Sequence, residues 1–128
     1  MLAGIYNENI VVNKALTITG AGAANSKIQP LTGIAVTIAA HGVTIDNFGI
    51  EHSTMDDPYD VGVYVNLFNN AIIKNSTFTN NSIALALVDA GSIDILDNII
   101  TSNALGIFID GNTDGLGNYD GGGNGPFY

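Results

Sequence analysis

The chain has 128 residues and a mass of 13.3 kDa, enough for one domain with a core and too few for two ordinary ones. Apolar residues make up 46% and charged residues only 12%, which excludes an acidic disordered chain; 16 Gly without a three-residue period exclude collagen. The net charge of -9 rests on 12 acidic residues against three lysines (Lys14, Lys27, Lys74), so nucleic acid, which needs phosphate neutralisation, is excluded as a partner. No apolar run approaches the length of a membrane span. The chain has no Cys, so disulfide frameworks and thiolate metal sites are excluded as well.

Strong helix formers are scarce, and apolar residues alternate with period two. In chain order the alternating pairs and triplets include Leu16-Ile18, Ile34-Val36-Ile38, Val43-Ile45, Val63-Val65-Leu67, Leu85-Leu87, Ile93-Ile95 and Ile107-Ile109. Asn, Gly, Ser and Asp separate them, the residues of tight turns. A repeat runs through these segments. Val36, Val65, Leu87 and Ile109 align in one column; Ile45, Ile73 and Ile95 in a second; Ile50, Phe78 and Ile100 in a third; Asn47, Asn75 and Asp97 in a fourth. Columns that advance together predict coils stacked about 4.8 Å apart as parallel, in-register ladders. The predicted fold is all-β, a right-handed parallel β-helix of about four to five coils over 1–112. A Gly/Asn/Asp-rich turn or tail follows over 113–128.

The inward columns are expected to include Ile18, Val36, Ile38, Val43, Ile45, Ile50, Val63, Val65, Ile73, Phe78, Leu85, Leu87, Ile93, Ile95, Ile100, Ile107 and Ile109. The Asn column suits corners, because Asn tolerates the left-handed conformation. An insertion, Thr54 to Asp60, interrupts the repeat and predicts a projecting loop. Asp56, Asp57, Tyr59 and Asp60 are its ligand candidates: carboxylates for a cation, a ring for stacking on a sugar. Asp110, Asn112, Asp114, Asn118 and Asp120 form a second candidate, for Ca2+, because oxygen ligands at alternate positions before a Gly suit a hard cation. Gly121 stands where the bidentate acid of such a loop belongs, and no flanking helices are predicted. His52, at a strand end, is read as a solvent-facing side chain.

The opening Ala3-Gly4-Ile5-Tyr6-Asn7-Glu8-Asn9-Ile10-Val11-Val12-Asn13-Lys14, with Leu16-Thr17-Ile18-Thr19-Gly20-Ala21-Gly22, resembles the first coil of pectin methylesterases. Asn69-Asn70-Ala71-Ile72-Ile73-Lys74-Asn75-Ser76-Thr77-Phe78-Thr79-Asn80-Asn81 resembles the repeats of the periplasmic copper-binding β-helix family. That repeat is shared by carbohydrate-binding proteins and sugar hydrolases. Both resemblances lie within the pectin-lyase-like superfamily and imply its fold, an extracellular, cell-surface or periplasmic location, and a polysaccharide or surface glycan as partner. They also imply a capping helix before the first strand, and none is evident. The chain shows no leader either, and is therefore expected to be a fragment of a larger secreted protein.

Pectin methylesterase-like chemistry would need paired Asp with Arg and Gln, yet the chain has no Arg and a single Gln, Gln29. No carboxylate pair stands out at glycosidase spacing. No catalytic residue is assigned. The expected function is a non-catalytic β-helix module, structural or carbohydrate-contacting. The alternatives are a fragment of a polysaccharide-acting enzyme and a block that self-associates end to end through open ladders.

Overall fold

The computed structural model describes residues 1–110. Its strands come three to a coil. The first coil holds β1 (Gly4–Tyr6), β2 (Ile10–Val12) and β3 (Thr17–Thr19). The second holds β4 (Ser26–Ile28), β5 (Val36–Ile38) and β6 (Thr44–Asp46). The third holds β7 (Gly49–Glu51), β8 (Val61–Asn66) and β9 (Ile72–Lys74). The fourth holds β10 (Thr77–Thr79), β11 (Ile83–Val88) and β12 (Asp94–Leu96). A fifth begins with β13 (Ile99–Ile100) and β14 (Leu105–Asp110). Strands at equivalent positions pair across coils into three sheets. Sheet A has the order β1-β4-β7-β10-β13, sheet B β14-β11-β8-β5-β2 and sheet C β12-β9-β6-β3. Every strand pairing is parallel. The chain is a right-handed parallel β-helix, the hand that parallel crossovers adopt.

Side chains stack as the repeat requires. Ile50 lies against Phe78 and Phe78 against Ile100; Ile45, Ile73 and Ile95 form a second ladder. One column differs from the sequence alignment. Val36 pairs with Val63, and it is Ile38 that pairs with Val65, followed by Leu87 and Ile109. A shift of two residues keeps every side chain on the same face, so alternation alone is blind to it.

The core takes in most of the expected residues and adds Val12, Ile28, Phe48, Ala71, Ala84 and Ala90. Phe48 escaped the period-two pattern because it follows a corner and sits outside a strand. Ile18, Ile95 and Ile100 are partly buried against the core. Ile107 and Ile109 belong to inward columns but are 45% and 50% exposed, since β14 is the last described rung.

The corners carry the strain. Asn47, Asn75 and Asp97 have φ of 63°, 52° and 53°, and Asn80 and Ser102 form a second left-handed column at 56° and 58°. The amides bond backbone and neighbouring rungs: Asn75 Nδ2 donates to Asp46 Oδ1 at 2.9 Å, and Asn98 Nδ2 to the Ile73 carbonyl at 2.8 Å. A Cβ-branched or Ala residue in the left-handed region costs roughly 1–2 kcal/mol. Asn75→Ala is therefore expected to destabilise by about 1–2 kcal/mol, and Asn75→Gly by distinctly less, although both lose the bond to Asp46. Paired thermal melts check the difference; equal losses would assign the cost to the hydrogen bond instead of the backbone.

Candidate ligand groove on sheet B

Seen from outside, sheet B presents a column that runs Val11, Thr37, Tyr64, Ala86, Phe108 from rung to rung. Tyr64 and Phe108 stand two rungs apart, about 9–10 Å, and between them Ala86 is too short to fill the gap. Beside this slot run Val61 and Ile83 on one flank and Val88 on the other. The 54–60 insertion leans over it and contributes Pro58 and Tyr59. Together they enclose a groove of about 440 Å³. Phe108 is 42% and Tyr59 76% exposed, so two aromatic faces remain open to a ligand.

The insertion forms a ridge. On its other side lies a shallower depression of about 430 Å³, lined by Met55, Asp56, Ala104 and Leu105 among others. The loop's four candidates are thus separated. Tyr59 faces the groove and Asp56 the depression. Asp57 is held at both carboxylate oxygens: Oδ1 accepts the Tyr59 N–H at 2.9 Å and Oδ2 the Thr32 hydroxyl at 3.4 Å, while its carbonyl accepts the Ser82 hydroxyl at 2.7 Å. Asp60 is buried, 1% exposed, and accepts the Gly33 N–H at 2.7 Å and the Thr32 hydroxyl at 3.0 Å. Among the described residues the three carboxylates do not converge on one point, so the cation half of the loop expectation finds no geometry; Tyr59 leaves its ring exposed beside the groove. Asp60 anchors the loop.

His52 is also placed differently from the sequence reading. It is 1% exposed, not solvent-facing. Nδ1 lies 2.7 Å from Asn81 Oδ1, Nε2 lies 2.7 Å from the Gly33 carbonyl, and Asp60 is 4.0 Å from Nε2. The insertion creates this pocket: the chain leaves the coil after His52 and returns at Asp60 above it. Only a tertiary pairing brings Gly33, His52, Asp60 and Asn81 together. Tyr64, Ala86 and Phe108 were missed for a related reason, since they are the polar-face positions of strands chosen for their inward side chains. A register alignment of the outward residues was the signal that could have found them.

Of the five calcium candidates, Asp110 ends β14, and its carbonyl accepts the Asp89 N–H at 3.0 Å. Asn112, Asp114, Asn118 and Asp120 lie outside the described residues.

The family described as "Periplasmic copper-binding protein (NosD)" matches residues 4–118. Copper favours thiolate, thioether and imidazole donors. The chain has no Cys, two His and two Met, and the two Met are apart: Met1 lies against Thr19 of the first coil and Met55 beside Ala104 and Leu105. Both nitrogens of His52 are engaged, and Nδ1 of His41 accepts the Asn69 N–H at 2.9 Å. No group of three His, Cys, Asp or Glu comes together among the described residues. Those residues do not fit a copper centre.

Among solved structures, a pectin methylesterase in complex with a hexasaccharide is similar, with a TM-score of 0.53 and 15% identity over 73% of this chain and 39% of that one. Pectin methylesterase PemA from Erwinia chrysanthemi gives 0.48 and 14%, over 76% and 44%. The chain therefore spans less than half the length of these neighbours, and the likeness is one of fold. No curated protein matches the chain. No helix among the described residues is long and apolar enough to cross a membrane. With its stacked parallel coils and a family match that runs from the first strand past the last described one, the chain belongs to the family described as "Periplasmic copper-binding protein (NosD)".

Proposed function

We propose that the chain is a non-catalytic periplasmic β-helix module that contacts a neutral polysaccharide through the sheet B groove. The observation that carries this reading is the Tyr64–Ala86–Phe108 column with Tyr59 beside it: two aromatic groups separated by a one-ring slot, on a rigid ladder. A pyranose has apolar C–H faces that lie against aromatic rings, and a stiff sheet holds the rings in place before the sugar arrives.

Charge supports a neutral glycan over a uronate. Lys27 is on sheet A and paired with Glu51 at 3.0 Å, Lys74 is on sheet C, and Lys14 lies outside the strands. Sheet B contributes no lysine, while Asp56 and Asp57 stand on the ridge and Asp110 at the end of β14. An anionic chain would meet like charge there. The groove's lining carries no carboxylate, which supports binding without hydrolysis.

Calorimetric titration with cello- and xylo-oligosaccharides, against oligogalacturonate, tests the reading. Neutral oligosaccharides are expected to bind and oligogalacturonate not. Tyr64→Ala is expected to remove about 0.5–1.5 kcal/mol of stacking, up to about tenfold in Kd. Ala86→Leu fills the slot on the outer face of sheet B, at a position only 4% exposed, and should weaken binding; a thermal melt separates blocking of the slot from overpacking, which would also lower the melting temperature. Preference for oligogalacturonate, or release of methanol, reducing ends or unsaturated sugars, would overturn the proposal.

A further inference from the structure

The geometry points to His52, in its doubly protonated form, as the positioning residue for the loop that walls the groove; the link to ligand rests on the groove reading above, while the chemistry of the lock does not. The polarity of the surrounding hydrogen bonds is set from one end by the backbone. The Asn81 N–H can only donate, and it donates to Asn103 Oδ1 at 3.0 Å. That fixes the Asn103 amide, whose Nδ2 donates to the carbonyls of Phe78 at 2.9 Å and Thr101 at 3.0 Å. Asn81 must then turn its own Nδ2 to Asn103 Oδ1 at 3.0 Å and to the Ile50 carbonyl at 3.1 Å. Its Oδ1, an acceptor with no hydrogen to give, is left facing His52 Nδ1 at 2.7 Å.

On the other side of the ring, Nε2 faces the Gly33 carbonyl at 2.7 Å, again an acceptor only. Both ring nitrogens therefore have to donate. A neutral imidazole carries one N–H and the imidazolium two. The Asp60 carboxylate, 4.0 Å away and as deeply buried, supplies the opposite charge. Among the other nearby charged groups, Asp57 is turned to the Tyr59 N–H and to Thr32, and Glu51 is paired with Lys27. His41 is the contrasting case: its Nδ1 accepts a backbone N–H, which requires an unprotonated nitrogen there.

Gly33 joins the two charges, giving its carbonyl to His52 and its N–H to Asp60. Asp60 closes the insertion, and its carbonyl takes the N–H groups of Ser82 at 2.8 Å and Ile83 at 3.3 Å. The loop bearing Pro58 and Tyr59 is thus fastened to the coils through the imidazolium–carboxylate pair. Removal of one ring proton takes away one of these two N–H donors. A lone pair then faces an oxygen at one of the two short contacts, and Asp60 loses its counter-charge.

The test uses the full chain with 15N-labelled histidine. Ring-nitrogen spectra are recorded across pH together with amide exchange of 54–60 and binding of a neutral oligosaccharide. Two protonated nitrogens at His52 are expected in mild acid, with loop protection and affinity falling several-fold as the second proton leaves. His52→Gln should flatten the pH profile of loop exchange, and the wild-type spectra decide the point should that variant not fold. An unprotonated nitrogen at His52 while the loop stays fully protected would overturn the inference. Coupled ring and loop titrations without any sugar binding would uphold the lock and overturn the groove reading; sugar binding beside a neutral ring would do the reverse.

Discussion

Replacing Phe78 by Ala is expected to destabilise the chain by about 3–5 kcal/mol. Phe78 is fully buried on β10, the fourth of the five strands of sheet A, with Ile50 one rung before it and Ile100 one rung after. Its ring also abuts the close approach at Gly62, where an added Cβ would lie 3.0 Å from the ring's Cδ1. Truncation removes both the transfer free energy of the ring and its packing, and the ladder cannot close over the hole, because the rungs above and below are tied by backbone hydrogen bonds at a fixed spacing. Urea denaturation measures the loss. Phe78→Leu should recover a large part of it, since only part of the volume is then missing. A loss near that of an exposed site, such as Leu31→Ala with Leu31 82% exposed, would mean that the column does not carry the core.

Asn81→Leu is expected to cost about 2–3 kcal/mol, although Leu is similar in size and apolar. Asn81 is fully buried and uses both ends of its amide: Oδ1 toward His52 and Nδ2 toward Ile50 and Asn103. Leu leaves the His52 N–H without an acceptor inside the protein, and a buried donor without a partner costs roughly 1–3 kcal/mol. A charged donor lies at the upper end of that range. Chemical denaturation gives the total. A double-mutant cycle with His52→Leu separates the coupling from the packing, because the orphaned donor disappears when both partners are apolar. Simple additivity would show that the two side chains do not share the bond assigned to them.

How much could be read in advance differs from one feature to the next. The ladder Ile45–Ile73–Ile95 and the stack Ile50–Phe78–Ile100 were legible because a parallel β-helix copies its chemistry from rung to rung, and copied chemistry is periodic. The corners Asn47, Asn75 and Asp97 were legible for the same reason, since only a few residue types accept a positive φ. The register of Ile38 with Val65 was not. A slip of two residues preserves every facing, and the length of the 54–60 insertion absorbs the difference. Burial of Phe48 was hidden too, because corner residues follow no period.

Of the groove, the sequence pointed to Tyr59 and its loop and missed the rest. Tyr64, Ala86 and Phe108 recur at a spacing of 22 residues, but differ in size and polarity and so make no column by type; the pairing of β8, β11 and β14 makes them neighbours. His52 read as a solvent-facing side chain at a strand end and Asp60 as a ligand candidate of the insertion; both are buried, because burial there depends on where the loop returns.

What the amino-acid order determined by itself was the coil: alternation set which side chains face inward, and Asn, Gly and Ser set where the chain turns, because these are local preferences of the backbone. What tertiary structure alone decided was the register of β5 on β8 across the insertion and the contents of the surface. Both depend on which residues of distant coils are laid side by side, and that choice is made by the packing of the whole stack and not by any one segment.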